Sequence, residues 1–180
     1  LRVEQASDFI YLDAVTRRNL ELTQTLSGEF ECSLAWVLDG CQTAMGSRLL
    51  RRWLHQPIRH VGTLLARQQA IIELGQDYLY EKLQQNLHAI GDCERILARI
   101  ALKSARPRDL SRLREVFAEL PHLQQQLQNT NTDKLIHLKE DIREFPELYD
   151  LLRRAIIDNP PVVIREGGVI AEGFDAELDE

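Results

Sequence analysis

The sequence predicts a mainly α-helical fold: a multi-helix bundle with a short N-terminal extended segment and a small β-hairpin near residues 162–172. Apolar residues recur at the three- and four-residue spacing of a helix face along most of the chain. Capping residues bracket these stretches, and the connections between them are short, which favours antiparallel neighbours. With 180 residues, the chain is long enough for one helical domain, residues 1–180, stable without disulfides.

The N-terminal third begins with an extended segment and continues with capped helices. Residues 9–12 are apolar and β-favouring, and Asp13 can cap a short helix or turn after them. Ser33 is the N-cap expected for a compact second helix. Thr43 then precedes an amphipathic helix whose apolar side includes Met45 and Trp53. We expect both of these side chains to lie in the core.

Two further helices are predicted before residue 91. Residues 60–74 keep helical spacing, and Gly75 offers a C-terminal stop. Asp77 is placed to cap the next helix, which continues to Gly91. We expect Gly91 to close that helix with a positive φ.

Residues 91–120 give the most consistent local signals. Asp92 is an N-cap for a helix with one apolar and one basic side. Proline disfavours a helical residue before it, so Arg106-Pro107 ends that helix, while Pro107 suits the first position of the next one. Asp109 lies in the first turn of this second helix, where the helix dipole favours a carboxylate.

The C-terminal third contains further helices, followed by a segment whose residue composition no longer suits a helix. Pro121 either kinks a helix or begins another, Asp133 can cap a weaker helix, and Pro146 opens a strong one. After residues 160–161, short apolar runs flank Gly167-Gly168, which predicts the hairpin. The acidic tail is predicted to resume helix.

The stretch GDCERILARIALKSARPRDL, residues 91–110, resembles the central helical region of the MutS family of DNA mismatch repair proteins. The resemblance extends to DAVTRRNLEL, MGSRLLRRWLHQP and RQQAIIEL, and to the C-terminal stretch AIIDNPPVVIREGGVIAEGFDAELDE. Cys93 stands where an aliphatic residue is expected, and Ala44 where proline is expected. The resemblance spans essentially the whole chain.

The resemblance implies a non-catalytic coupling domain, the first part of the helical core or lever of a larger multidomain protein. Residues 160–180 would then contain the hairpin and the start of a long helix toward a clamp domain. The parent would bind mismatched duplex DNA as a homodimer, hydrolyse ATP with magnesium in a separate domain, and recruit a MutL-like partner. Such a protein is cytoplasmic.

The charge distribution leaves a second hypothesis open. A net charge of −6 opposes autonomous binding to phosphate backbones. Residues 95–114 nevertheless carry seven Lys or Arg and one acid, whereas residues 166–180 carry six acids and no base. The domain itself could therefore contact duplex DNA through this basic stretch. The candidate phosphate contacts are Arg95, Arg99, Lys103, Arg106 and Arg108.

A third hypothesis is a generic helical protein-interaction module, which exposure of Trp53 and Phe117 on a continuous apolar patch would favour. Two Phe-x-Glu triplets, beginning at Phe117 and Phe145, match the letters of the family's mismatch-reading motif. Their helical context favours packing and capping roles for both.

No catalytic, cofactor or metal site is predicted for the chain itself. It lacks the GxxxxGK(S/T) motif that cradles nucleotide phosphates. The three cysteines have no metal-ligand spacing, and the five histidines have no catalytic partner at a recognisable distance. No apolar run reaches the length of a membrane helix, and no signal peptide is recognisable at the N-terminus.

Overall fold

The computed structural model describes residues 8–179, and these are mainly helical. They fall into two compact units, called unit 1 up to Ile72 and unit 2 from Glu73 onward. In chain order the helices are α1 Ala14–Asn19, α2 Leu34–Leu38, α3 Ala44–His55, α4 Val61–Gly75, α5 Leu79–Ala89, α6 Cys93–Ala101, α7 Pro107–Gln126, α8 Asp133–Asp141 and α9 Pro146–Ala155, with 3-10 turns at Gln76–Tyr78 and Ile164–Glu166.

The described part of unit 1 begins with the short extended segment, which is followed by short capped helices. Phe9 forms an isolated antiparallel bridge with Ile58, so the short extended segment is present. Asp13 accepts the Thr16 N–H at 2.7 Å, and the hydrogen bonds from Thr16 lower the pKa of this carboxyl. Ser33 caps α2 and Thr43 caps α3 by the same kind of bond, as predicted.

The buried interior of unit 1 is small. Among its described apolar residues, only Leu22, Ala35 and Ala70 are buried. The prediction of a core position for Trp53 is wrong, because its side chain is 41% exposed. The Arg67 guanidinium lies over the indole ring, 3.7 Å from its centroid. Met45 is half-buried.

Unit 2 is built around α7. Helices α5, α6 and α9 all pack against it, and it buries Leu113, Val116 and Leu123. Pro121 lies inside α7, which continues through it to Gln126. The other buried apolar residues of this unit are Ile90, Ile96, Leu127, Leu135, Ala155 and Ile156.

The helix ends in the middle of the chain differ from the predictions. Gly75 remains helical, and the break falls at Asp77 and Tyr78, whose φ values are 50° and 54°. Asp77 therefore does not cap α5. Helix α5 ends instead through extended backbone at Ile90, without a positive φ at Gly91. Glycine permits the left-handed region but does not require it.

The N-cap of α8 is Thr132 rather than Asp133. The carboxylate of Glu73 accepts the N–H groups of Asn131 and Thr132 at 2.6 and 2.9 Å. The hydrogen bonds from Thr132 and Asn131 lower the pKa of Glu73. Glu73 thus fixes the two residues at the entrance to α8, a long-range contact that the sequence did not predict.

The predicted hairpin near residues 162–172 is wrong. Ile164–Glu166 form a 3-10 turn, and the φ values of Gly167 and Gly168 are positive. Ile170 makes its antiparallel bridge with Ile156, at the end of α9. The apolar run after the glycines therefore pairs with a more distant segment. Residues 175–178 form a turn in which the Leu178 N–H donates to the Asp175 carbonyl.

Candidate functional site

The basic stretch predicted to contact DNA forms the corner between α6 and α7. At the end of α6, Lys103 takes a left-handed φ of 53°. The Ser104 N–H then reaches back to the Arg99 carbonyl at 2.9 Å, and the Lys103 N–H donates to Ile100 at 3.0 Å. This pattern is a Schellman cap, with lysine where glycine is usual.

The chain re-enters helix at Arg106-Pro107, as predicted. Arg106 is extended, with φ −100° and ψ 159°, and buried Pro107 is the first residue of α7. The Asp109 Oδ2 accepts the Arg106 N–H at 2.9 Å. The carboxylate therefore satisfies a backbone donor that the proline corner leaves outside the helix.

Asp109 also ties the two helices together. The Arg99 Nη1 donates to its Oδ1 at 2.6 Å, with Arg99 34% and Asp109 12% exposed. An ion pair with one largely desolvated partner is costly to break, since the remaining charge loses its partner. The Arg99–Asp109 pair thus joins the end of α6 to the first turn of α7 within unit 2.

Two arginines of α7 hold the segment that follows α9. The Arg108 Nε donates to the Pro160 carbonyl at 3.2 Å. Arg114, only 12% exposed, donates to the Ile156 carbonyl at 2.8 Å and pairs with Asp158 at 3.1 Å. Sequence reasoning did not identify the role of Arg114, because its partners lie more than 40 residues away.

The five candidate phosphate contacts are therefore not equivalent. Arg99 and Arg108 make the internal bonds described above. The side chains of Arg95, Lys103 and Arg106 lie at exposed positions around the same corner. Within the described part of the chain, the side chains of Arg99 and Arg108 are thus engaged internally, whereas those of Arg95, Lys103 and Arg106 are exposed.

The two Phe-x-Glu triplets have internal contacts in unit 2. The rings of Phe117 and Phe145 lie 5.4 Å apart, so the N-terminus of α9 packs on α7. Glu119 accepts from the Asn86 amide at 3.1 Å and lies 3.4 Å from His122. These contacts agree with the packing roles expected from helical context.

Residues 8–179 contain no group of three or more His, Cys, Asp or Glu side chains arranged to hold a metal ion. Cys32, Cys41 and Cys93 form no disulfide. Burial raises the pKa of the Cys93 thiol, and burial together with Asp39 raises that of Cys41. These directions disfavour thiolate chemistry at neutral pH.

In the described part of the chain, every helix is too short or too polar to cross a lipid bilayer.

Comparison with family models identifies one that matches residues 15–179, the model for MutS domain III. The match includes every helix except the first residue of α1. Domain III is a non-catalytic, helical domain of MutS, which acts in DNA mismatch repair. The chain belongs to the MutS domain III family.

Proposed function

We propose that this domain is the first part of the helical lever of a MutS protein and couples a DNA-holding end to an ATPase domain. It has no catalytic role of its own. Its parent binds mismatched duplex DNA as a homodimer, hydrolyses ATP with magnesium, recruits a MutL-like partner and is cytoplasmic. Family membership supports this assignment, and the packing of α7 supports it physically.

The observation that best supports the coupling role is the continuity of α7. Its 20 residues make a rod of roughly 30 Å at 1.5 Å per residue. Helices α5, α6 and α9 pack along it, so a displacement at one end must move the whole group. A connected element with few internal degrees of freedom is one that can carry coupling between distant sites.

The Arg99–Asp109 pair gives this rod a rigid corner. It joins α6 to the first turn of α7 at 2.6 Å, and the same carboxylate holds the Arg106 N–H. A loosened corner would let α6 move without α7. The proposal therefore assigns this pair a mechanical role in the parent protein.

The test is Asp109→Asn in the intact MutS protein that carries this domain. We expect mismatched duplex to lose most of its effect on ATP hydrolysis, while ATP hydrolysis without DNA and binding of mismatched duplex persist. Steady-state ATPase assays with and without mismatched duplex measure the first two quantities, and fluorescence anisotropy measures the third.

The matched control is Glu115→Gln, which removes the exposed Arg112–Glu115 pair on the same helix. Exposed pairs contribute about 0–1 kcal/mol, so this variant should couple normally. Normal stimulation by mismatched DNA in Asp109→Asn, at a temperature where the domain stays folded, would reject the mechanical role of the corner.

A second candidate function is direct contact with duplex DNA, favoured by the exposed positions of Arg95, Lys103 and Arg106 around one corner. The net charge of −6 weighs against strong binding. A salt-dependent mobility shift of duplex by the 180-residue chain, abolished by Lys103→Glu with Arg106→Glu, would support it. An absence of any shift at low salt would reject it.

A further inference from the structure

The second half of unit 1 has an unusual charge distribution. Residues 40–72 contain no aspartate or glutamate in a chain with 28 acidic residues. The same segment carries five cations, all of them arginine: Arg48, Arg51, Arg52, Arg59 and Arg67. Helix α3, which contains Arg48, Arg51 and Arg52 and no acidic residue, therefore carries a local positive charge that the net charge of the chain conceals.

An open cavity of about 520 Å³ lies within unit 1, against α3 and α4. Arg52 and Arg67 line it beside Trp53, and Leu49, Phe9 and Ile58 give it an apolar wall. Asp8 is the acidic residue among its described lining. The cavity thus combines cationic groups with apolar surface, and its volume is within the range of ligand-binding sites.

The apolar side of α3 continues this surface. Leu49 and Trp53 lie one turn apart, at positions i and i+4, and their side chains are 46% and 41% exposed. The guanidinium of Arg67 lies over the indole of Trp53, 3.7 Å from the ring centroid, and places a cation beside the apolar side chains of the cavity. Together with the apolar wall of the cavity, Leu49 and Trp53 give this part of unit 1 an accessible apolar surface beside a cation.

We propose that this surface docks an acidic amphipathic helix of a partner polypeptide. Apolar side chains of that helix would pack on Leu49 and Trp53, and carboxylates beside them would pair with Arg67. A carboxylate matches the planar fork of arginine in a bidentate pair. The Phe9, Leu49 and Ile58 wall favours apolar side chains over a phosphate backbone, which distinguishes this partner from nucleic acid.

The experiment uses the 180-residue chain with Trp36→Phe, which leaves Trp53 as the single tryptophan of a chain with two. Trp53 emission then reports on the cavity alone. The probe is a synthetic peptide of about 18 residues, long enough to form helix, with leucines at i, i+3, i+4 and i+7 and glutamates beside them. A lysine version, a scrambled version and a single-stranded oligonucleotide are titrated in parallel.

We expect saturable blue-shifted emission with the glutamate peptide, and weaker or no binding by the lysine and scrambled peptides. Arg67→Glu should weaken binding about tenfold or more, because it places like charges at the contact. Arg59→Glu, which changes an exposed arginine outside the cavity lining, should bind normally. Each variant is compared with its own emission baseline.

A second pair of variants tests the apolar contact. Leu49→Gln should weaken binding, whereas Leu65→Gln should not, because Leu65 is two residues and about 200° around α4 from Arg67. Equal binding of the glutamate and lysine peptides, unchanged binding by Arg67→Glu, or no emission change with any peptide would overturn the proposal. Saturable binding of the oligonucleotide alone would assign the cavity to nucleic acid instead.

Discussion

Units 1 and 2 both contain helices that begin at a capping side chain, but their interiors are very different. In unit 1, Asp13, Ser33 and Thr43 all cap their helices, yet the buried apolar residues are few and mostly small. In unit 2, Asp92 caps α6 and Asp109 serves α7, and several large aliphatic residues are buried around α7. Local signals therefore determine where several of the helices begin, but they do not determine how much of an apolar stripe becomes core.

The difference in buried interior also bears on the role that we propose for each unit. Unit 2 uses its buried side chains and the Arg99–Asp109 pair for rigidity. Unit 1 leaves Leu49 and Trp53 exposed beside arginines. We infer that one unit is organised to hold its own shape and the other to bind a partner. Three measurements test this contrast.

The largest effect is expected from truncating the core of unit 2. Leu113 is 7% exposed in the first half of α7, and Leu113→Ala should cost about 2–4 kcal/mol in the free energy of unfolding. Leu49→Ala in unit 1, where the side chain is 46% exposed, should cost less than about 1 kcal/mol. Urea unfolding followed by far-UV circular dichroism measures both. Equal losses would contradict the contrast.

An intermediate effect is expected from His55 in unit 1. Its Nε2 lies 3.1 Å from the Thr23 hydroxyl, while its buried Nδ1 has no hydrogen-bond partner among the described residues. Burial, assisted by the charge of Arg17, lowers the pKa of this imidazole. The unfolded chain, with an ordinary pKa of about 6.5, therefore binds a proton more readily than the folded chain.

The stabilising contribution of His55 is thus complete above pH 6.5 and declines as the pH falls through the lower folded-state pKa. The urea midpoint of the native chain should drop between pH 7.5 and 5. That drop should shrink in His55→Gln and persist in His88→Gln, which changes an exposed histidine of α5. An identical drop in all three proteins would exclude His55 as its source.

The smallest effect is expected at the corner of unit 2. Lys103 has a φ of 53°, which costs an L-residue about 1 kcal/mol or more and glycine nothing. Glycine also loses more entropy on folding, so Lys103→Gly should give a net gain of about 0.5 kcal/mol. Lys82→Gly inside α5 should instead lose about 1 kcal/mol. Thermal unfolding of both variants decides whether the cap is strained.

Much of the local structure follows from neighbouring residues. The caps at Asp13, Ser33, Thr43 and Asp92, and Pro107 at the start of α7, were all predictable. Each depends on a hydrogen bond or a steric rule that spans three or four residues. The same local reasoning placed Asp109 in the first turn of α7.

The wrong predictions involve partners that the sequence does not place side by side. Gly75 permits a left-handed turn, but the chain turns at Asp77 and Tyr78 instead, and α5 ends through extended backbone at Ile90 rather than at a left-handed Gly91. The bridge between Ile156 and Ile170 replaces the hairpin. The same applies to the candidate site, where the sequence identified the basic corner but not its pairing.

The sequence by itself determined the helical class, the family and most helix starts. These depend on hydrophobic periodicity, on the motifs shared with the family, and on capping hydrogen bonds within one helical turn. The tertiary structure decided which stripes are buried, which arginines are used internally, and that Arg67 lies against Trp53. Those outcomes depend on contacts between residues far apart in the chain. The identity of an apolar or cationic residue does not by itself show which distant residue it will contact in the folded chain.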